Sequence, residues 1–172
     1  MARLLLVDDN PGTLVAYTEV FAVLEPTLHV TTALSAESAL RFLHTVPFDA
    51  VVCDLVLPGV DGLCFVDECM IIQPGMPVIL VTGYGDTELE KTAAHRGAYA
   101  LLHKPVDPYD LRSVVLRAIL QKRVTLALAT EEAYRELIMT MKERLRRVAG
   151  EDDMYDKGEP PCEGEENSRS TH

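Results

Sequence analysis

Short apolar runs that do not alternate with polar residues restrict what this chain can become. RLLLV (3–7), FDAVVCD (48–54) and MPVILVT (76–82) are of this kind. A strand with one wet face alternates apolar and polar residues, so a strand that is apolar throughout must be covered on both faces. LHVTTA (28–33), rich in β-branched residues, and AYALLH (98–103) read as further strands. Segments of helical character lie between and after them, at 11–24, 35–45, 61–72, 86–97 and 107–120. Their ends carry the expected signals: Asn10 before Pro11, Ser35, Asp107 before Pro108, and Gly97 past the fourth. Strand followed by helix, repeated along residues 1–121, predicts an α/β fold: a doubly wound, five-stranded parallel sheet with helices on both faces. The first strand, short and wholly apolar, is expected at its centre.

Two of these strands end in acids. Asp8 and Asp9 follow the first, and Asp54 closes the third. In a doubly wound sheet the binding crevice lies beyond the carboxyl ends of the strands, where the strand order reverses. In the order 2-1-3-4-5 that point falls between strands one and three, which brings the three carboxylates together. Close anions repel and require a cation. Oxygen ligands without His or Cys favour Mg²⁺. Strand four ends in Thr82, and Lys104-Pro105 follows strand five. A hydroxyl and an ammonium beside a carboxylate–metal site suit a phosphoryl group. Each residue alone has a plainer reading as a cap, a turn former or a solvated charge. The set at one edge of a sheet does not.

The motifs VDDN, CDLVLPGVDG, VTGYGD and HKP, in this order and spacing, resemble those of response-regulator receiver domains over residues 1–121. The resemblance implies the flavodoxin-like sheet and gives each residue a role. Asp54 is then the phosphoacceptor. Asp9 and Asp54 bind Mg²⁺ directly, Asp8 directly or through water, and the Val56 backbone carbonyl completes the protein ligands. Thr82 and Lys104 hold phosphoryl oxygens, and the Lys104–Pro105 peptide is cis. The implied donor is a histidine kinase or a histidine phosphotransfer protein, with slow self-hydrolysis as the one other reaction. The sequence departs from the family at the strand-five switch position, where an aromatic residue is usual and Leu101 stands here. Either Leu101 makes a smaller switch, or Tyr99, two residues earlier and so expected on the same strand face, or Tyr84 takes the role.

Beyond the receiver, residues 122–149 read as a helical extension. A 4-3 series from Leu120 to Val148 (Leu120, Val124, Ala127, Glu131, Tyr134, Ile138, Met141, Leu145, Val148) forms a seam interrupted by Glu131. It suggests a homodimer through residues 120–148. The alternatives are a helix folded back on its own domain and a new helix capped at Thr130. Charge is unevenly spread: −8 over residues 1–121, +3 over 122–149 and −6 over 150–172. An acidic body argues against nucleic acid, and the basic KERLRR (142–147) suits a helix C-terminus. Residues 150–172 read as an acidic disordered tail. No run is long enough for a membrane span. The cysteines (Cys53, Cys64, Cys69, Cys162) lack metal spacing and fit a reducing cytoplasm. His29, His44, His95 and His103 share no ligand spacing either, though His103 sits beside Lys104. The reading is a phosphoryl-accepting receiver that signals through protein contacts. A coiled-coil adaptor and a fragment of a longer regulator are the alternatives.

Overall fold

A computed structural model describes residues 1–83 and 87–152, with side chains to Arg147. Tyr84 and the expected tail from residue 153 onward lie outside the described residues. Five strands, β1 (Ala2–Val7), β2 (Leu28–Ala33), β3 (Ala50–Asp54), β4 (Val78–Thr82) and β5 (Ala100–His103), form one parallel sheet in the order β2-β1-β3-β4-β5. The helices are α1 (Pro11–Leu24), α2 (Ala36–Thr45), α3 (Gly62–Ile72), α4 (Thr87–His95) and α5 (Pro108–Asp152).

The unalternating strands are explained by two separate cores. Leu5, Val7, Val51, Cys53, Val78 and Leu80 face one layer, with Ala39, Leu43, Phe65, Cys69 and Ala93 of α2, α3 and α4. The intervening Leu4, Leu6, Ala50, Val52, Ile79 and Val81 face the other, with Leu14 and Phe21 of α1 and Leu111, Val115 and Ala118 of α5. Each fully buried side chain of this size stabilises the fold by roughly 1.5–3 kcal/mol relative to exposure. Among the described residues the buried polar ones are Asp8, Asp54 and Thr82, where β1, β3 and β4 stop.

The helix starts follow their capping chemistry. Asn10 accepts from the Gly12 N–H at 2.8 Å, Ser35 from Ser38 at 3.2 Å, and Asp107 from Tyr109 at 2.8 Å. Gln73, just past α3, pins the loop into β3. Its amide donates to the Leu43 and Val46 carbonyls, both at 2.7 Å, and accepts from the Phe48 N–H at 2.9 Å.

α5 runs without a break to Asp152, past the expected limit at 149, and Thr130 starts no new helix. Residues Met1–Ala127 form one compact unit, and a second begins at Leu128. The start of the extension along α5 is tied to the segment just before β3: Lys122 donates to the Phe48 carbonyl and Arg123 lies 4.0 Å from Asp49.

One expectation fails. Tyr99 does not share a face with Leu101. Leu101 packs with the α2–α4 layer and Tyr99 with the α1/α5 layer. Tyr99 precedes β5, and two-residue alternation holds only inside a strand.

Candidate functional site

The carboxyl ends of β1, β3, β4 and β5 meet at one edge of the sheet. β1 and β3 are neighbours, with Val7 in register with Cys53, so the residues that follow each are brought side by side. One carboxylate oxygen from each of Asp8, Asp9 and Asp54 lies within 4.8 Å of the others. Asp8 and Asp54 are buried, at 4% and 9% exposure, while Asp9 is exposed. Thr82, fully buried, ends β4 in register with His103 of β5. Its carbonyl accepts from the Lys104 N–H at 2.7 Å, which fixes the start of the Lys104 loop, and the Lys104–Pro105 peptide is cis.

Lys104 supplies the positive charge among these acids. Its ammonium donates to Asp54 Oδ2 and, at 3.3 Å, to Asp8 Oδ2. Burial alone would lower the Lys104 pKa. The hydrogen bond and charge of Asp54, joined by Asp8, outweigh it and hold the group above its ordinary 10.5. The remaining oxygens are held by backbone: Asp54 Oδ1 accepts from the Val56 N–H at 3.0 Å, and Asp8 Oδ1 from the Asn10 N–H at 2.8 Å. Asp9 has no hydrogen bond among the described residues. The donor set is hard oxygen throughout, with one carboxylate open to solvent. It fits a divalent cation of the Mg²⁺ type that keeps part of its water shell.

Tyr17 escaped the sequence reading. From α1 it lines a cavity of about 10 Å³ whose wall it shares with Asp8, Asp54, Leu14 and Val52. Burial raises its hydroxyl pKa, Lys104 lowers it, and Asp8 and Asp54 raise it again. Its apolar neighbours alone would not have marked it. Gly62 also went unremarked. It donates to the Leu55 carbonyl at 3.0 Å, and α3 comes so close there that a Cβ would stand 2.6 Å from that oxygen. His103 turns elsewhere: its ring lies 3.0 Å from Glu90 of α4.

Comparison with known proteins places the chain in a family. Residues 4–116 match the family model described as the response regulator receiver domain. The transcriptional regulatory protein GlrR of Escherichia coli (strain K12) is 35% identical over 147 residues, which cover 86% of this chain and 32% of that protein. The chain therefore spans about a third of the length of that curated relative. Among solved structures, a CheY-like receiver domain protein from Methanospirillum hungatei JF-1 superposes with a TM-score of 0.68 at 26% identity, covering 73% of this chain and 98% of the other. The beryllofluoride-activated NtrC4 receiver domain dimer does so with 0.67 at 27% identity, over 71% and 99%.

Proposed function

The chain belongs to the response regulator receiver domain family of two-component signalling, and from that premise we propose that Asp54 accepts a phosphoryl group in a Mg²⁺-dependent reaction. The donor is a phosphohistidine on a histidine kinase or a histidine phosphotransfer protein. The observation that carries this reading is the convergence of Asp8, Asp9 and Asp54 on one point, with Lys104 bridging two of them.

An Asp54 oxygen forms the new bond to phosphorus as the P–N bond to the donor imidazole breaks. The released imidazole nitrogen takes up a proton, and Asp54 becomes an acyl phosphate. Asp8, Asp9, Asp54 and the Val56 carbonyl would hold Mg²⁺, which supplies charge neutralisation for the phosphoryl oxygens. The chain's own residues position. The Val56 N–H orients Asp54, and the buried Thr82 hydroxyl and the Lys104 ammonium receive phosphoryl oxygens. Once the Asp54 charge is shared with phosphate, Lys104 follows it. Water later hydrolyses the acyl phosphate.

The output is protein contact: the chain pairs with a second copy through residues 120–148 and works in the cytoplasm. No helix among the described residues is long and apolar enough to cross a membrane. A second reading, an adaptor whose helix carries the function while phosphorylation modulates it, is favoured by the exposure of Leu120, Tyr134 and Leu145, each above 60%.

Incubation with acetyl phosphate and Mg²⁺, followed by intact mass, tests the site. Wild type gains one phosphoryl group; without Mg²⁺, or as Asp54→Ala, it gains none. Equal labelling of Asp54→Ala refutes the assignment.

A further inference from the structure

We infer that Tyr17 is a positioning residue of the phosphoryl site: in the small cavity it shares with Asp8 and Asp54, its hydroxyl holds one water molecule that donates to both carboxylates. The consequence for Mg²⁺ rests on the phosphoryl reading above; the water itself does not.

The cavity has room for one water at most. Its volume of about 10 Å³ is at the lower limit for a single molecule. A buried water needs about two to four polar partners. Leu6, Leu14, Val52 and Val81 give the wall an aliphatic lining, and Asp8, Asp54 and Tyr17 are its three polar side chains. Both acids are buried, so a donor in this cavity reaches them where bulk solvent does not.

Donors and acceptors match. Each carboxylate oxygen has two lone pairs. Lys104 and the Val56 N–H use one on each Asp54 oxygen, and Lys104 and the Asn10 N–H do the same on Asp8. Every one of these oxygens can accept once more. Two carboxylates cannot bond to each other, but a water can give one proton to each. Its own oxygen then needs a donor, and of the lining side chains Tyr17 alone carries an O–H. That hydroxyl has no hydrogen bond among the described residues, whereas a phenol with a buried ring usually finds a partner. Burial, the largest influence on it, raises its pKa above the ordinary 10.0, so it keeps the proton it donates. The ring packs in the α1/α5 layer and would do so as phenylalanine; the oxygen is the part that the cavity uses.

Carboxylates that ligate a metal keep their orientation through outer hydrogen bonds, and loss of such a partner weakens metal binding by about 10- to 100-fold. Lys104 is one such partner, and on the phosphoryl reading it turns to the transferred group. The water is the donor that stays, shared between Asp8 and Asp54.

The test compares the full wild-type chain with Tyr17→Phe, which removes one oxygen and keeps the ring. A high-resolution crystal structure of the metal-free wild type should show one water in the cavity, within about 3 Å of Tyr17 Oη and of one oxygen of each acid. A dry cavity overturns the inference, whatever becomes of the phosphoryl reading. The Mg²⁺ dissociation constant is then measured by calorimetry, beside the melting temperature of each metal-free chain. Tyr17→Phe should bind Mg²⁺ about tenfold more weakly than wild type. Equal dissociation constants overturn the positioning role, and a lowered melting temperature beside them would mark Tyr17 as a packing residue alone. A wild type that binds no Mg²⁺ and takes no phosphoryl group overturns the phosphoryl reading and the consequence for the metal, and the crystal structure still decides the water.

Discussion

Replacing Gly62 by alanine should damage the phosphoryl site without touching any residue that reacts. A Cβ at Gly62 would stand 2.6 Å from the Leu55 carbonyl oxygen, 2.7 Å from Leu55 Cα and 3.0 Å from its carbonyl carbon. All three obstructing atoms are backbone, so no rotamer change relieves the contact. Comfortable contact begins near 3.4 Å, so Leu55 or the start of α3 must retreat by about 0.8 Å, an overpacking that costs about 1–3 kcal/mol. The displaced segment lies between Asp54 and Val56, whose N–H orients the Asp54 carboxylate at 3.0 Å. A shift of about 1 Å at a reacting group lowers rates by about 10²-fold. Gly62→Ala is therefore expected to lower Tm by about 4–8 °C, as about 2 kcal/mol does in a chain of this length. It should also slow phosphorylation by acetyl phosphate by ten- to a hundredfold, followed by intact mass against time. Gly59→Ala is the control. Its φ of +83° makes alanine strained, by about 1 kcal/mol, but the nearest atom to its Cβ is Glu37 Oε1 at 3.7 Å. Its phosphorylation rate should match wild type. If Gly62→Ala keeps both the wild-type melting temperature and the wild-type rate, the close approach of α3 does not set the geometry of Asp54.

Two further outcomes follow from the charges at the site. Asp9→Asn should raise the metal-free melting temperature slightly, by relieving repulsion among the acids, and abolish the Mg²⁺-induced rise measured in the same thermal scans; an undiminished rise would place the metal elsewhere. The raised Lys104 pKa means that its stabilising contribution is fully present below the unfolded value of 10.5 and is lost as pH climbs through the folded value. Lys104→Met should thus melt below wild type by a constant margin from about pH 7 to about pH 9, and the margin should shrink above about pH 10.5; a margin independent of pH to full alkaline titration would show that the ion pair contributes nothing.

What the sequence disclosed, and what it hid, divides along a physical line. The fold was legible because unalternating strands such as LLLV have one solution, a sheet covered on both faces, and both covering layers are present. The strand-terminal residues were legible because a parallel sheet puts all carboxyl ends on one edge, whatever the packing. Positions set by packing were not legible. Tyr17 lines the same small cavity as Asp54 because of how α1 lies on the sheet, and nothing in its neighbours' hydrophobicity says so. Tyr99 misled because alternation was extended past the first residue of β5. Gly62 sits inside a motif, yet its near-contact with Leu55 belongs to the meeting of two segments that only the folded chain brings together.

The paired acids at the end of β1 invite the expectation of strain in the absence of metal. Lys104 changes that expectation. Its ammonium already neutralises Asp54 and part of Asp8, and the Asn10 N–H takes the other Asp8 oxygen. Both oxygens of Asp8 and both of Asp54 therefore have partners before any ion arrives, and Asp9 is the carboxylate left to solvent without one among the described residues. A divalent cation entering here would meet Asp9 first and would compete with Lys104 for the other two carboxylates. Until then Lys104 holds Asp54. On the proposed reading, the lysine so freed would be the one that the transferred phosphoryl group needs.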